Sequence, residues 1–497
     1  MIANFKWAGK WLARALHPAK PPTIAWLDRP DLSQLARPQA VVPPFVTDCP
    51  VAQKYLALLG PLDWTRFPER DPARAWPGFP PLPRAPFVAA YLVKIDQRLR
   101  YMSDLRHFLV VHPALIWILG FPLQPSVGSR WGFDPEISLP TARLFLQVLR
   151  TLPNEALQFL LDGTVSRLAQ ALPPHLRFGE QISGDTKHIL AWVRENNPKV
   201  YIKEGRYDKT RQPKADPDCR LGCKKKHNQR SSGEGTPTQP ASPPPTPTTN
   251  PVPANTVEVG EYYWGYASGV IATKVPGFGE FILAELTQTF DKTDITYFRP
   301  LMQQTEHRLG YKPKFGAFDA AFDAFYVYEY FHQAGGFAAV PFVERGGIKQ
   351  RAFDPDGRPL CAAGLSMPLK GTFTCYTTDL EHQRSRYVCP LLFPQPTGQT
   401  CPIDHNNWPK GGCTTTMASS IGARLRYQLD RDTQAYKLLY NQRTATERIN
   451  SLATDLGIER PRLRNRQAIT NQNTLIYVLL NLRGLQRIHL QQVGLTE

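Results

Sequence analysis

The segment Pro313–Gly335, PKFGAFDAAFDAFYVYEYFHQAG, changes character halfway. Its first part, around Phe315 to Phe318, has the aromatic and small-residue content of a short strand, which ends near Phe318 and Asp319. Its second part spaces Phe, Tyr and Val at helical intervals and carries Asp323. A carboxylate at the end of a strand sits where α/β proteins often keep their chemistry. Just upstream, Ile295 to Leu309 reads as a helix, and Tyr262 to Thr273 and Gly279 to Thr287 read as strands. Downstream, FAAVPFV gives one more short strand. Further upstream, FGEQISGDTKHILAWV places a short strand, Glu180 to Ser183, before Gly184-Asp185. Asp185 can be read as the N-cap of a following helix or as a second strand-end carboxylate; local sequence leaves both open.

If the strand at Asp185 comes first, the order is strand, strand, strand, helix, strand, helix. That is the order of a ribonuclease-H-like α/β domain, here residues 179–345. Residues 231–256, SSGEGTPTQPASPPPTPTTNPVPANT, interrupt it between the first two strands. Pro, Thr and Ser dominate there and little can be buried, so a disordered linker is expected. Residues 346–430 are rich in Gly, Pro, Thr and Cys and read as a β-rich insertion. Residues 431–497 supply a long helix, Asp430 to Leu456, and a last apolar helix that completes that α/β domain. Ahead of it all, residues 87–178 read as a helical domain with scattered Arg98, Arg100 and Arg106, and residues 1–86 as an irregular Pro-rich arm.

The chain has 497 residues, 20% of them charged, and a net charge of +17. That excess points to a polyanionic partner. The basic residues cluster. Residues 199–230 hold eleven Lys or Arg, including Lys224, Lys225 and Lys226, against four Asp or Glu; such a segment neutralises phosphates in a salt-dependent way. A second patch, ERPRLRNRQ, contains Arg460, Arg462, Arg464 and Arg466. The longest apolar run, Phe108 to Phe121, is too short to span a bilayer and contains His112 and Pro113. No secretory signal is read at the N-terminus. Eight cysteines in this length do not make a disulfide scaffold. An intracellular, reduced protein that faces nucleic acid, without a membrane span, is expected. Of the cysteines, Cys389, Cys401 and Cys413 are the candidates for a structural zinc, but their gaps are wider than a zinc knuckle, and buried free thiols account for them better.

Within the long helix, Tyr440, Arg443 and Glu447 stand at i, i+3 and i+7 and share one face. The bland reading is an exposed Arg443–Glu447 pair beside a half-buried tyrosine. Together with Asp185 and Asp319, Glu447 gives three carboxylates in chain order. Carboxylates suit hard ions such as Mg²⁺ or Mn²⁺, and a pair of such ions can serve phosphoryl displacement.

These motifs resemble those of bacterial insertion-sequence DDE transposases, in the group with a Tyr-(2)-Arg-(3)-Glu-(6)-Lys signature. Tyr440, Arg443 and Glu447 match its first three members, whereas Thr454 stands where Lys is usual. Arg448 or the 460–466 arginines are the candidates to replace that lysine. FGAFDAAFDAF resembles the family's second-carboxylate motif, with Asp319 in the catalytic position and Asp323 as accessory. ISGDTKHI resembles the first, with Asp185. DPDCRLGCKKKHN is similar to the segment after it. The resemblance implies a ribonuclease-H-like catalytic domain with a β-rich insertion, preceded by an α-helical N-terminal domain. It implies metal-dependent cleavage of double-stranded DNA at transposon ends and strand transfer into target DNA, by a homodimer when DNA is bound. Asp185, Asp319 and Glu447 would hold the metals; Tyr440, Arg443, Arg448, Lys224, Lys225, Lys226, Arg462 and Arg464 would contact DNA. The alternatives are an inactive or repurposed DNA-binding derivative and a metal-dependent nuclease on the same fold.

Overall fold

A computed structural model describes residues 42–70, 81–197, 212–225, 260–343, 351–377, 380–403 and 405–494. The Pro/Thr-rich segment 231–256, Lys226 and the first 41 residues lie outside them. The chain divides into two compact units, Met1–Leu172 with Leu452–Glu497, and Pro173–Ser451.

The first unit is helical. Its helices are α1 Pro44–Thr47, α2 Pro50–Leu59, α3 Ala85–Asp96, α4 Met102–Val111, α5 Pro113–Ile118, α6 Pro135–Ser138, α7 Ala142–Thr151 and α8 Asn154–Ala171. Proline opens α1, α2, α5 and α6, where its missing N–H leaves no bond unmade. Thr141 caps α7 by accepting from the Leu144 N–H. Through the middle runs the C-terminal helix, Arg466–Gln492, against α2, α3, α7 and α8. It is buried nearly all round from Ala468 to Leu485, as a central helix must be. Two of its buried amides are matched: Asn471 donates to the carbonyls of Leu149 and Leu152, and Asn481 to the Thr164 hydroxyl. Two sequence-based expectations are thereby corrected. The last apolar helix is the post of the helical unit and does not belong to the unit that holds residues 179–345. Part of the supposed irregular arm is folded too, since Tyr55, Leu58 and Leu59 of α2 are buried.

The second unit is built on a mixed sheet of β1 Gln181–Leu190, β2 Arg220–Lys225, β3 Gly260–Val275, β4 Gly279–Thr289, β5 Phe315–Phe318 and β6 Phe337–Ala339. The order is β2-β3-β1-β5-β6, with β4 also on β3. β1 and β3 run antiparallel, as do β3 and β4; β1, β5 and β6 run parallel. Helix α9, Ile295–Leu309, lies on β3 and β4, and α10, Phe325–Gln333, lies beside β6. Phe318 is wedged between Phe298 of α9 and Phe331 of α10. Glycine is required next to that wedge: a Cβ on Gly184 would stand 2.3 Å from the Phe318 ring.

The insertion is a three-stranded antiparallel sheet, β7 Leu369–Thr377, β8 Leu380–Val388 and β9 Thr414–Ala418, followed by α11 Ile421–Gln428. It is tied back by Asp323. Instead of riding on a helix, Asp323 precedes α10 and accepts two hydrogen bonds of 2.8 Å from Arg426 of α11, one from the Tyr328 hydroxyl and one from the Val343 N–H. Asp323 thus clamps α11 to the chain just before α10. The expected single helix from Asp430 to Leu456 is interrupted: α12 Gln434–Tyr440, a 3₁₀ turn Asn441–Arg443, then α13 Thr444–Asp455.

Candidate active site

The register of β1 on β5 pairs Gln181–Gly184 with Phe315–Phe318. One step further along lie Asp185 and Asp319. Neighbouring strands are about 4.8 Å apart and same-level side chains share a face, so the two carboxylates meet. Asp185 is neither an N-cap nor a strand end. β1 runs on to Leu190, with Asp185 opposite Val270 of β3, and it is β5 that stops. The side of β1 that β5 leaves open carries the site.

Burial pushes the Asp185 carboxyl up to about 7, and the Asp319 charge adds to the rise; the Thr186 N–H and the Arg443 charge oppose it. Asp319 is also raised, first by burial and then by the charge of Asp294, against the Ala321 N–H and Arg443. The hydrogen bonds set the rotamers. Asp185 Oδ1 accepts from the Thr186 N–H at 2.8 Å and Oδ2 from Asn450 Nδ2 at 3.1 Å. Asp319 Oδ1 accepts from the Ala321 N–H at 2.9 Å, capping a 3₁₀ turn.

Arg443 reaches the pair because its 3₁₀ turn packs on β1 and β5. Its guanidinium lies 5.7 Å from the Tyr440 ring centroid, and Tyr440 stacks on Tyr436. It also bonds Glu447 at 2.7 Å, and Asp185 and Asp319 both hold its charge in place. The expected stripe is therefore present in its contacts, although the helix under it is broken. Glu447 itself is half exposed. The buried face of α13 is Ala445, Thr446, Ile449 and Asn450, so the side chain that this helix extends to Asp185 is Asn450. Sequence reasoning passed over Asn450, although an asparagine inside a helix, where it is disfavoured, is a signal. It also passed over Asp294, which looks like any helix-starting aspartate.

Asp185 and Asp319 fit a hard divalent cation by charge: two carboxylates raised by burial and by a neighbouring carboxylate's charge are what a cation offsets. A third ligand is not in place. Among the described residues, no group of three or more His, Cys, Asp or Glu side chains is arranged to hold a metal ion. The same holds for zinc. Cys413 hydrogen-bonds Cys389 and Cys361, and burial first, then those two thiols, push it up to about 12. Its thiol neighbours thus include Cys361, which was not among the residues expected to bind zinc.

The other expected DNA contacts are dispersed. Arg448 bonds Glu280 at 2.6 Å. Lys224 and Lys225 lie on β2, paired with Glu261 and Gly260 of β3. Arg462 and Arg464 belong to the helical unit. Among the described residues no helix is long and apolar enough to cross a membrane. Comparison with protein-family models, curated proteins and solved structures found no match to this chain.

The raised carboxyl has a testable consequence for stability. Folded Asp185 keeps its proton up to about pH 7, whereas an unfolded aspartate loses it near 4. Stability therefore falls as pH rises from about 4 to 7 and levels off above. Asp185→Asn should raise the melting temperature of the second unit at pH 8, by the equivalent of about 4 kcal/mol, and leave it unchanged at pH 4. Calorimetry at the two pH values checks this.

Proposed function

We propose that this chain is a DNA transposase of the DDE type, which cleaves DNA at element ends and joins the freed 3′-hydroxyl to a target strand. The observation that carries the reading is the adjacency of Asp185 and Asp319 at the open side of β1, with Arg443 beside them. The strand order supports it. Leaving out β2, the order β4-β3-β1-β5-β6 has only β3 reversed against its neighbours β1 and β4, the order we expect of a ribonuclease-H-like sheet, and the insertion falls between β6 and the helix of Glu447. The net charge of +17 suits a DNA substrate.

On this reading Asp185 and Asp319 hold Mg²⁺ or Mn²⁺. Such an ion, when bound, polarises the phosphate and lowers the pKa of an attacking water. Asn450 and the Thr186 N–H keep the Asp185 carboxylate turned to the site. Arg443 supplies a positive charge for the scissile phosphate, and the Tyr440 ring backs its guanidinium. No covalent protein intermediate is needed, because water and then a 3′-hydroxyl attack. The helical unit, with Arg462 and Arg464, is a second DNA contact, and pairing of two ends calls for a homodimer.

The engagement of Glu447 with Arg443 favours a second reading, a nuclease or a DNA-binding derivative that does not complete the reaction. Incubation with Mg²⁺ and labelled terminal-repeat DNA distinguishes them. Joined product supports the transposase, nicking alone the nuclease, and binding alone the derivative. In the same assay Glu447→Gln should lower joining by about 10²-fold or more if Glu447 swings to the metal site when DNA binds. A Glu447→Gln protein that joins like wild type would remove Glu447 from the catalytic set.

A further inference from the structure

Asp294 stands at the N-cap position of α9, yet its side chain makes no capping hydrogen bond. Capping therefore does not explain why a carboxylate is kept here. Its Oδ1 accepts instead from the Thr186 hydroxyl at 2.8 Å. Thr186 uses its other donor, the backbone N–H, on Asp185 Oδ1, also at 2.8 Å. One threonine thus ties two carboxylates together, one from β1 and one from the start of α9. Asp319 also lies within the field of Asp294. Burial raises Asp294 itself, and the Thr186 hydroxyl is the group that opposes the rise. A further polar group lies on the Asp185 side of β1. Ser183, two residues before Asp185 and on the same face of β1, has a buried hydroxyl without a hydrogen-bond partner.

We propose that Asp294 is a positioning residue of the Asp185–Asp319 site: through Thr186 it fixes the Asp185 carboxylate, and its charge strengthens the hold of the site on a divalent cation without ligating it. The proposal rests on the cation-binding reading of that site. A charge of this kind acts at a distance, so neutralising it weakens cation binding without removing a ligand. The hydrogen bond acts locally, and losing it frees Thr186 and with it the Asp185 rotamer.

The test is a titration of the full-length protein with Mn²⁺ alone at pH 8, following loss of the free-ion paramagnetic resonance signal, with circular dichroism as the folding control. Asp294→Asn retains an acceptor for Thr186 and removes the charge; it should bind Mn²⁺ roughly tenfold more weakly. Asp294→Glu should recover most of the loss. Thr186→Val, which keeps every carboxylate, should weaken binding by about threefold, and it serves as the second arm if Asp294→Asn does not fold. Asp319→Asn should abolish the binding. If Asp319→Asn abolishes it while Asp294→Asn and Thr186→Val bind like wild type, the role of Asp294 is refuted and the cation site stands. If wild type binds no Mn²⁺, or Asp319→Asn binds it unchanged, the cation reading fails and Asp294 loses its role with it.

Discussion

Asp319→Asn is expected to abolish strand cleavage, by at least about 10³-fold, while DNA binding is retained. Asp319 sits one residue past the end of β5, level with Asp185 on β1. Asparagine keeps the size and can still accept from the Ala321 N–H, so the 3₁₀ turn that follows should form. What it removes is one of the two charges that a divalent ion would neutralise. Because Asp319 is raised by burial and by Asp294, the same substitution relieves repulsion and should stabilise the apo protein above pH 7. Loss of activity with equal or higher stability separates a catalytic carboxylate from a structural one. Gel-shift, cleavage and melting measurements on one preparation provide the check. A cleavage-competent Asp319→Asn protein would remove the residue from the chemistry.

Asp323→Ala should behave in the opposite way and destabilise the insertion by about 3–5 kcal/mol. The Asp323 side chain is 2% exposed and accepts four hydrogen bonds, two of them from Arg426, which is itself 12% exposed. Removing the carboxylate leaves a buried guanidinium without its counter-charge, which is costlier than losing the pair. The Arg426 planes also lie over Phe342 and Tyr427, so the helix α11 has apolar contacts that survive. The expected outcome is a lowered first melting transition and new proteolytic cleavage between residues 351 and 430. Asp323→Ala with Arg426→Met should recover part of the loss, since no uncompensated charge remains. A single variant within about 0.5 kcal/mol of wild type, the range of ordinary surface changes, would mean that the clamp is dispensable.

Local pattern carried the elements of the second unit well. Ile295–Leu309 is helical over the span its periodicity indicated, and β3, β4, β5 and β6 fall on the runs read as strands. The misreadings have a common physical source, which is that tertiary partners decide where an element stops. β1 continues past Asp185 because β3 offers a partner as far as Gly265. The helix expected from Asp430 breaks at Asn441–Arg443 because that turn packs on β1 and β5. The C-terminal helix reads as apolar in any setting, and its Asn471 and Asn481 are what fit it to α7 and α8.

The same distinction holds at the site. Asp185 and Asp319 could be named from sequence because each follows a short strand-like run, Glu180–Ser183 and Phe315–Phe318. Their adjacency comes from the parallel register, which no local pattern encodes. Glu447 was named through its spacing to Arg443, and the structure keeps that pair while turning Asn450 toward Asp185. Asp294 was hidden because an aspartate before a helix has an ordinary explanation; only its bond to Thr186 shows that the explanation does not apply.

The most direct test of the cation site is an anomalous-difference map from crystals of the full-length protein grown with Mn²⁺. The account predicts a peak shared by the carboxylates of Asp185 and Asp319, at metal–oxygen distances of roughly 2.0–2.3 Å. A map with no peak between them, or with Mn²⁺ bound only elsewhere on the chain, would contradict it.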